Sequence, residues 1–91
     1  MIHTETKFAY RHKPTGKWCY IHNAISFWGS EKFNYVELNL IDVFQSDILY
    51  NARNIIEEDL LRSTMNGERY AALNFLEFEL VEIEIEYRLK A

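Results

Sequence analysis

Five glutamates follow one another near the end of the chain in a pattern that could bind a basic partner. They are Glu77, Glu79, Glu82, Glu84 and Glu86. Because alternate residues of a strand point to the same side, the pattern predicts carboxylates on one solvated face at intervals of about 7 Å. Such a stripe imitates the charges of a nucleic-acid strand and could occupy a groove that binds DNA or RNA. A charged strand face that prevents edge pairing with another chain is the alternative interpretation.

A second candidate site combines positive charge with aromatic rings near the start of the chain. Its members are Arg11, Lys13, Lys17, Trp18 and Tyr20. Cations that pair with phosphates and rings that stack on bases are typical of nucleotide and single-strand binding. The same rings could instead form the hydrophobic core, because so short a chain needs its aromatic side chains to close one. The net charge of −4 argues against direct binding of nucleic acid.

Residues that could act in catalysis or metal binding form no known motif. The sequence has no glycine-rich phosphate loop, no nucleophile elbow and no histidine pair at metal-binding spacing. His12 and His22 could approach each other across a hairpin, and Cys19 is expected to be a buried structural thiol. We therefore expect a non-enzymatic protein with neither a metal site nor a cofactor.

The composition is that of one folded domain, residues 1–91. Apolar and aromatic residues make up 48% of the chain and aromatic residues alone 15%, which suffices for a small core. The lone cysteine excludes an internal disulfide and fits a reducing compartment. A signal peptide and a membrane-spanning run are both missing from the sequence, so we expect a cytoplasmic protein.

Charge is distributed unevenly along the chain. Residues 1–22 carry +3, whereas residues 57–91 carry −5. The two regions could lie on neighbouring strands and neutralise each other, or they could form a dipolar surface that steers a charged partner.

Residues 7–12 and 17–22 predict a β-hairpin. Pro14 presets φ for a turn, and Gly16 supplies the positive φ that closes it. Alternation predicts one face that holds the large rings Phe8, Tyr10, Trp18 and Tyr20. The other face would hold the smaller side chains Ala9, Cys19 and Ile21.

The next segments predict a connection and a third strand. Residues 23–32 contain Gly29 and Ser30, and we expect their apolar side chains to fold back over the sheet edge; these are Ile25, Phe27 and Trp28. Residues 33–40 alternate as a strand, with an apolar face formed by Val36, Leu38 and Leu40.

Residues 52–64 predict a helix. Asn51 could cap it, and Asn66 with Gly67 could end it in a left-handed conformation. Its apolar stripe would be Ala52, Ile55, Ile56 and Leu60. Ser46 is an alternative start; otherwise residues 48–50 form a short extended segment.

The last segment predicts the longest strand, and its apolar phase changes between Leu80 and Val81. A β-bulge there would keep one face on the core. The fold class is therefore α+β, with an antiparallel sheet of about four strands covered by one helix in the order β-β-β-α-β.

Three segments together resemble short accessory proteins encoded by tailed bacteriophages. The segments are FAYRHKPTGKWCY at residues 8–20, ILYN at residues 48–51 and FELVE at residues 78–82. In that class the hairpin reads roughly R-H-K-x-T-G-K followed by an aromatic residue. The resemblance implies a host-takeover or counter-defence role in the cytoplasm of an infected bacterium, and it transfers no catalytic residue.

We therefore expect a protein that binds and inhibits or redirects a host protein, one that handles nucleic acids, through the acidic strand. A protein that sequesters a small ligand or nucleotide with the basic aromatic hairpin is one alternative, and a structural subunit of a larger assembly is another. A homo-oligomer through a strand edge stays open, and no membrane partner is expected.

Overall fold

The computed structural model describes residues 2–89 as a four-stranded antiparallel sheet accompanied by helical segments. This confirms the α+β class and the antiparallel sheet. The elements in chain order are β1 (Ile2–His12), β2 (Lys17–Trp28), β3 (Glu31–Ile41), a 3₁₀ turn (Ser46–Ile48), α1 (Arg53–Arg62), α2 (Tyr70–Leu73), a second 3₁₀ turn (Phe75–Glu77) and β4 (Phe78–Arg88). The single covering helix of the prediction is thus one main helix with three short helical segments.

The sheet consists of two long ribbons that meet at one end. The strand order is β3-β2-β1-β4, and both the β2–β3 pair and the β1–β4 pair are continuous along their strands. Strands β1 and β2, in contrast, pair at two positions beside their turn, Arg11 with Trp18 and His12 with Lys17. The turn forms as predicted, with Gly16 at a φ of +71°. Beyond it the two ribbons diverge.

Two short segments of the helical region pair with strands that would otherwise stay open. Tyr50 exchanges two backbone hydrogen bonds with Phe8, on the side of β1 that β2 has left. Thr64 accepts from the N–H of Leu38 and donates to the carbonyl of Val36, on the edge of β3 away from β2. The two pairings flank α1 in sequence and therefore fix both of its ends against the sheet.

The core lies where α1 crosses the meeting point of the ribbons. Its buried members are Tyr10, Cys19, Ile21, Leu38, Ile56, Leu60, Ala71 and Phe78. We call the side of the sheet that carries these strand residues the helix face, and the opposite side the outer face. The predicted apolar face of the third strand is confirmed, because Leu38 is buried and both Val36 and Leu40 pack against the core.

The predicted faces of the first hairpin were wrong. Tyr10 shares the helix face with Cys19 and Ile21, whereas Trp18 lies opposite Arg11 on the outer face. The cause is the length of the loop, since His12 pairs with Lys17 and even-numbered residues of β1 thereby face odd-numbered residues of β2.

The predicted connection at residues 23–32 was also wrong. Strand β2 continues to Trp28, and Gly29 with Ser30 forms a two-residue hairpin turn in which Gly29 has a φ of +63°. Ile25, Phe27 and Trp28 stay exposed and do not fold over the sheet edge.

The C-terminal strand contains no bulge. The register of β4 against β1 runs unbroken from His12 opposite Phe78 to Ile2 opposite Arg88. Leu80 therefore faces the helix layer, and the apolar residues after it, Val81, Ile83 and Ile85, lie on the outer face. The change of phase in the sequence marks the end of the core on the helix face: beyond it the helix-face positions of β4 are glutamates, and its apolar residues lie half-buried on the outer face.

The main helix is shorter than predicted. It begins after Ala52 and ends at Arg62, and neither Asn51 nor Ser46 caps it. The Asn51 side chain accepts a hydrogen bond from Lys7 instead. Asn66 and Gly67, both with positive φ, close a tight turn between Met65 and Glu68 rather than the helix.

The molecule is elongated, with extents of 56 × 32 × 23 Å. Its radius of gyration is 15.5 Å, whereas a compact domain of this length has about 12 Å. In the described part of the chain, no helix is long and apolar enough to cross a membrane. The elongation comes from the ribbon ends that extend beyond the core.

Candidate functional site

Three of the five predicted glutamates share one exposed face. Glu82, Glu84 and Glu86 continue the helix face of β4 beyond the core, opposite Phe8, Thr6 and Thr4 respectively. Because the strand carries no bulge, the same alternation sends Glu79 to the outer face, and Glu77 precedes the strand in a 3₁₀ turn. We call Glu82, Glu84 and Glu86 the acidic face.

The acidic face has little compensating charge. Among residues 2–89, the salt bridges include neither Glu82 nor Glu84, and Glu86 pairs with Arg88 two positions along the same strand at 3.0 Å. Thr4 and Thr6 opposite these carboxylates are polar and exposed. Three solvated carboxylates at intervals of about 7 Å on an edge strand form a regular negative surface.

Glu77 belongs to a partly buried polar cluster around His12. One carboxylate oxygen accepts a hydrogen bond from the Tyr70 hydroxyl at 2.7 Å and lies 3.1 Å from Nε2 of His12. Nδ1 of His12 lies 2.8 Å from the hydroxyl of Thr15 in the first turn. The bonds from Tyr70 and His12 hold the pKa of Glu77 below its ordinary value of 4.5. Glu77 therefore joins the turn, β1 and α2.

Glu79 neutralises the basic hairpin. It lies directly opposite Arg11, and its carboxylate accepts from both Nε and Nη2 of that guanidinium, at 2.8 and 2.7 Å. Such a pair stabilises a sheet by roughly 0.2–1 kcal/mol. The expected complementarity between basic and acidic strands is confirmed at this pair.

The residues of the basic aromatic hairpin do not converge. Arg11, Trp18 and Tyr20 lie on the outer face, Lys17 lies opposite His12 on the helix face, and Lys13 is in the turn. Both rings contact neighbouring rings. Trp18 packs edge-on against Phe44, with 5.3 Å between the ring centroids, and Tyr20 stacks on His22, with 4.9 Å between the centroids. The Lys17 ammonium forms a salt bridge with Asp42, with 3.7 Å between Nζ and Oδ1.

His12 and His22 do not meet, and Cys19 is buried. His22 contacts Asn39 and Glu37 across the β2–β3 ribbon, far from the cluster that holds His12. Cys19 is buried as predicted, and burial raises the pKa of its thiol to about 12. Residues 2–89 contain no cluster of three or more side chains able to hold a metal ion, and they form no pocket.

The feature that sequence reasoning missed is an exposed aromatic arm. We use this name for residues 23–36, the outer half of the β2–β3 ribbon. Its large exposed side chains are Ile25, Phe27, Trp28, Phe33 and Tyr35, and Trp28 is 80% exposed. Comparison with protein-family models, with curated proteins and with solved structures gives no match.

The arm could have been found from its turn. Gly29 and Ser30 separate two segments rich in aromatic and β-branched residues, which is a hairpin pattern. Ile25 and Phe27 lie on the helix face of the arm, and Trp28, Phe33 and Tyr35 lie on its outer face. Apolar side chains exposed on both faces are typical of a surface that another molecule covers.

Proposed function

We propose that this chain is a non-enzymatic binding protein that inhibits or redirects a partner protein by occupying a basic surface with its acidic face. The observation that carries this proposal is the grouping of Glu82, Glu84 and Glu86 on one exposed face with little compensating charge. Carboxylates so placed attract a positive surface and speed encounter with it.

The spacing of the acidic face favours a partner that handles nucleic acids. The regular separation of its carboxylates resembles the separation of phosphates along a nucleic-acid strand. A groove lined with lysine and arginine for phosphate contacts would accept such a strand by the same electrostatic attraction. The resemblance to phage accessory proteins favours a host protein as the owner of that groove.

The proposal is tested by capture from a bacterial lysate with two matched triple variants. The first replaces Glu82, Glu84 and Glu86 by Gln. The second replaces Glu57, Glu58 and Glu68 by Gln as well. These are exposed carboxylates outside β4, so the two variants have the same net charge. Mass spectrometry then compares the proteins retained by each variant with those retained by the unmodified chain.

We expect the first variant to lose nucleic-acid-binding proteins that the second variant retains. Added duplex DNA and raised salt should release the same proteins from the unmodified chain, because DNA competes for the groove and salt screens exposed charges. Equal loss in both variants would assign capture to net charge alone, and equal retention would remove the acidic face from binding. Either result contradicts the proposal.

A further inference from the structure

The two edges of the sheet are protected unequally. Strand β4 forms one edge, and its alternating glutamates discourage pairing with another chain. Strand β3 forms the other edge, and Thr64 covers it at Val36 and Leu38. From Glu31 to Tyr35 no backbone hydrogen bond within residues 2–89 reaches this edge. The open segment is also the aromatic side of the arm.

The backbone groups that face this open edge follow from the pairing at Thr64. Leu38 and Val36 turn their N–H and C=O groups away from β2, so the even-numbered residues of β3 present theirs outward. Lys32 and Asn34 are the even-numbered residues of the open segment. Their free donors and acceptors flank Phe33 symmetrically.

We propose that a second copy of this chain pairs with the open edge of β3 in antiparallel register around a two-fold axis at Phe33. Lys32 then exchanges two backbone hydrogen bonds with the partner's Asn34, and Asn34 does the same with the partner's Lys32. Phe33 lies opposite the partner's Phe33 on the outer face, and Tyr35 lies opposite the partner's Glu31. The two sheets become one sheet with eight strands.

The arrangement of the free groups is compatible with pairing to a second copy. A two-fold interface requires one patch to complement itself, and donors and acceptors placed equally on both sides of Phe33 meet that requirement. In this register the outer faces of the two sheets lie on the same side of the joined sheet. A register shifted by one residue would place the outer face of one copy beside the helix face of the other.

Charge also favours self-association through the arm. The chain carries a net charge of −4, but residues 23–36 contain one acid, Glu31, and one base, Lys32. Two copies can therefore meet at the arm without opposing like charges, whereas contact through β4 would oppose glutamates. The arm is the neutral part of an acidic molecule.

The chain exposes more surface than a compact protein of its mass. Its accessible surface is 6692 Å², whereas a folded protein of this mass exposes about 5,600 Å². The excess of roughly 1,100 Å² belongs to the whole elongated molecule, and the exposed rings of the arm contribute to it. A dimer through the arms removes part of that excess.

A cross-linking experiment tests the register. Residues opposite each other in a pair without hydrogen bonds have Cα atoms about 4.5 Å apart, which permits a disulfide. Under mild oxidation we expect Phe33→Cys to form a covalent dimer. Tyr35→Cys is the matched control, because the two Tyr35 residues would lie about 13 Å apart along the strands. Cys19 is buried and should not interfere.

A proline variant tests the hydrogen bonds. Asn34→Pro removes an outward N–H and leaves the pairing with β2 intact, so the monomer should fold with an unchanged circular dichroism spectrum. We expect light scattering to show dimers of the unmodified chain, with dimerisation weakened roughly tenfold or more in Asn34→Pro.

A monomeric unmodified chain at concentrations of about 100 µM, at which even weak pairing is populated, would overturn the proposal. Equal cross-linking of Phe33→Cys and Tyr35→Cys would overturn the register, and full dimerisation of a folded Asn34→Pro would do the same. None of these results depends on capture by the acidic face, so this dimer and the proposed function can fail separately.

Discussion

Glu77 is an example of a residue whose role depends on its hydrogen bonds rather than on its place in a pattern. In the sequence it is the first of five similar glutamates. In the structure it accepts from Tyr70 and contacts His12, which is 5% exposed and the only buried member of its residue type among residues 2–89. Its carboxylate therefore stabilises the fold, whereas Glu82 and Glu84 form no salt bridge within residues 2–89 and Glu86 pairs only with Arg88 on its own strand.

The lowered pKa of Glu77 makes the stability of the fold depend on pH. Because the folded state favours the carboxylate, this stabilisation is complete above the ordinary pKa of 4.5 and is lost as the pH falls through the lower pKa of the folded state. We expect Glu77→Gln to lower the free energy of unfolding near pH 7 and to reduce its dependence on pH in the acid range. Urea denaturation at a series of pH values measures both effects.

Glu84→Gln is the control for this residue, because Glu84 is exposed and outside the hydrogen bonds found in residues 2–89. It should leave both the free energy of unfolding and its acid dependence nearly unchanged. If Glu77→Gln and Glu84→Gln gave the same pH profile, the cluster around His12 would not stabilise the fold through Glu77.

At the scale of elements, sequence patterns predicted strands and turns better than faces. The first turn, the alternating third strand, the helix and the last strand are all present near their predicted positions. The faces of the first hairpin were wrong because one residue of loop length changes which side chains meet. The bulge was wrong because a change of apolar phase can also follow a change in what covers the strand.

The candidate site was predictable to the extent that it depended on alternation. Alternation alone correctly groups Glu82, Glu84 and Glu86, but it cannot show that Arg11 binds Glu79 or that Tyr70 binds Glu77. Those contacts join residues far apart in the sequence. The aromatic arm was missed because apolar residues were assumed to be buried, which holds only where other elements can cover them.

Helix α1 provides a matched test of burial. Both Ile55 and Ile56 were assigned to its apolar stripe, but Ile55 is 50% exposed and Ile56 is fully buried in the core. We expect Ile56→Ala to lower the free energy of unfolding by about 2–5 kcal/mol, because it removes buried methyl groups and leaves a cavity. Ile55→Ala should cost less than about 1 kcal/mol.

Thermal or chemical denaturation of both variants measures this difference. Similar losses at the two positions would contradict the orientation of α1, in which Ile56 is buried and Ile55 is half exposed. The comparison therefore also tests the pairings of Tyr50 and Thr64 that fix the ends of the helix.

At the scale of the whole molecule, the core and the arm are separable. The buried cluster includes Ile21 and Leu38, where β2 and β3 cross α1, but no residue numbered 23–35. Apart from Val36, which packs against that cluster, the arm adds length and exposed aromatic surface. A shorter molecule should therefore fold.

Removal of the arm tests this separation. Ala24 and Tyr35 lie opposite each other, so residues 25–34 can be replaced by Asn-Gly, which forms a two-residue hairpin turn. We expect the shortened chain to keep its helical signal and a free energy of unfolding within about 1 kcal/mol of the original. Small-angle X-ray scattering should show a smaller radius of gyration. Global unfolding would instead assign the arm to the folding unit.

The pairing of β1 with β4 has a consequence during synthesis on the ribosome. Ribbon β2–β3 joins neighbouring segments and can form as soon as Ile41 has emerged, whereas residues 2–12 must wait for residues 78–88. While residues 13–77 are being synthesised, β1 therefore lacks its long partner β4. The nascent chain therefore has an open strand until residues 78–88 have emerged, and a pause before that point would extend the time in which it can aggregate.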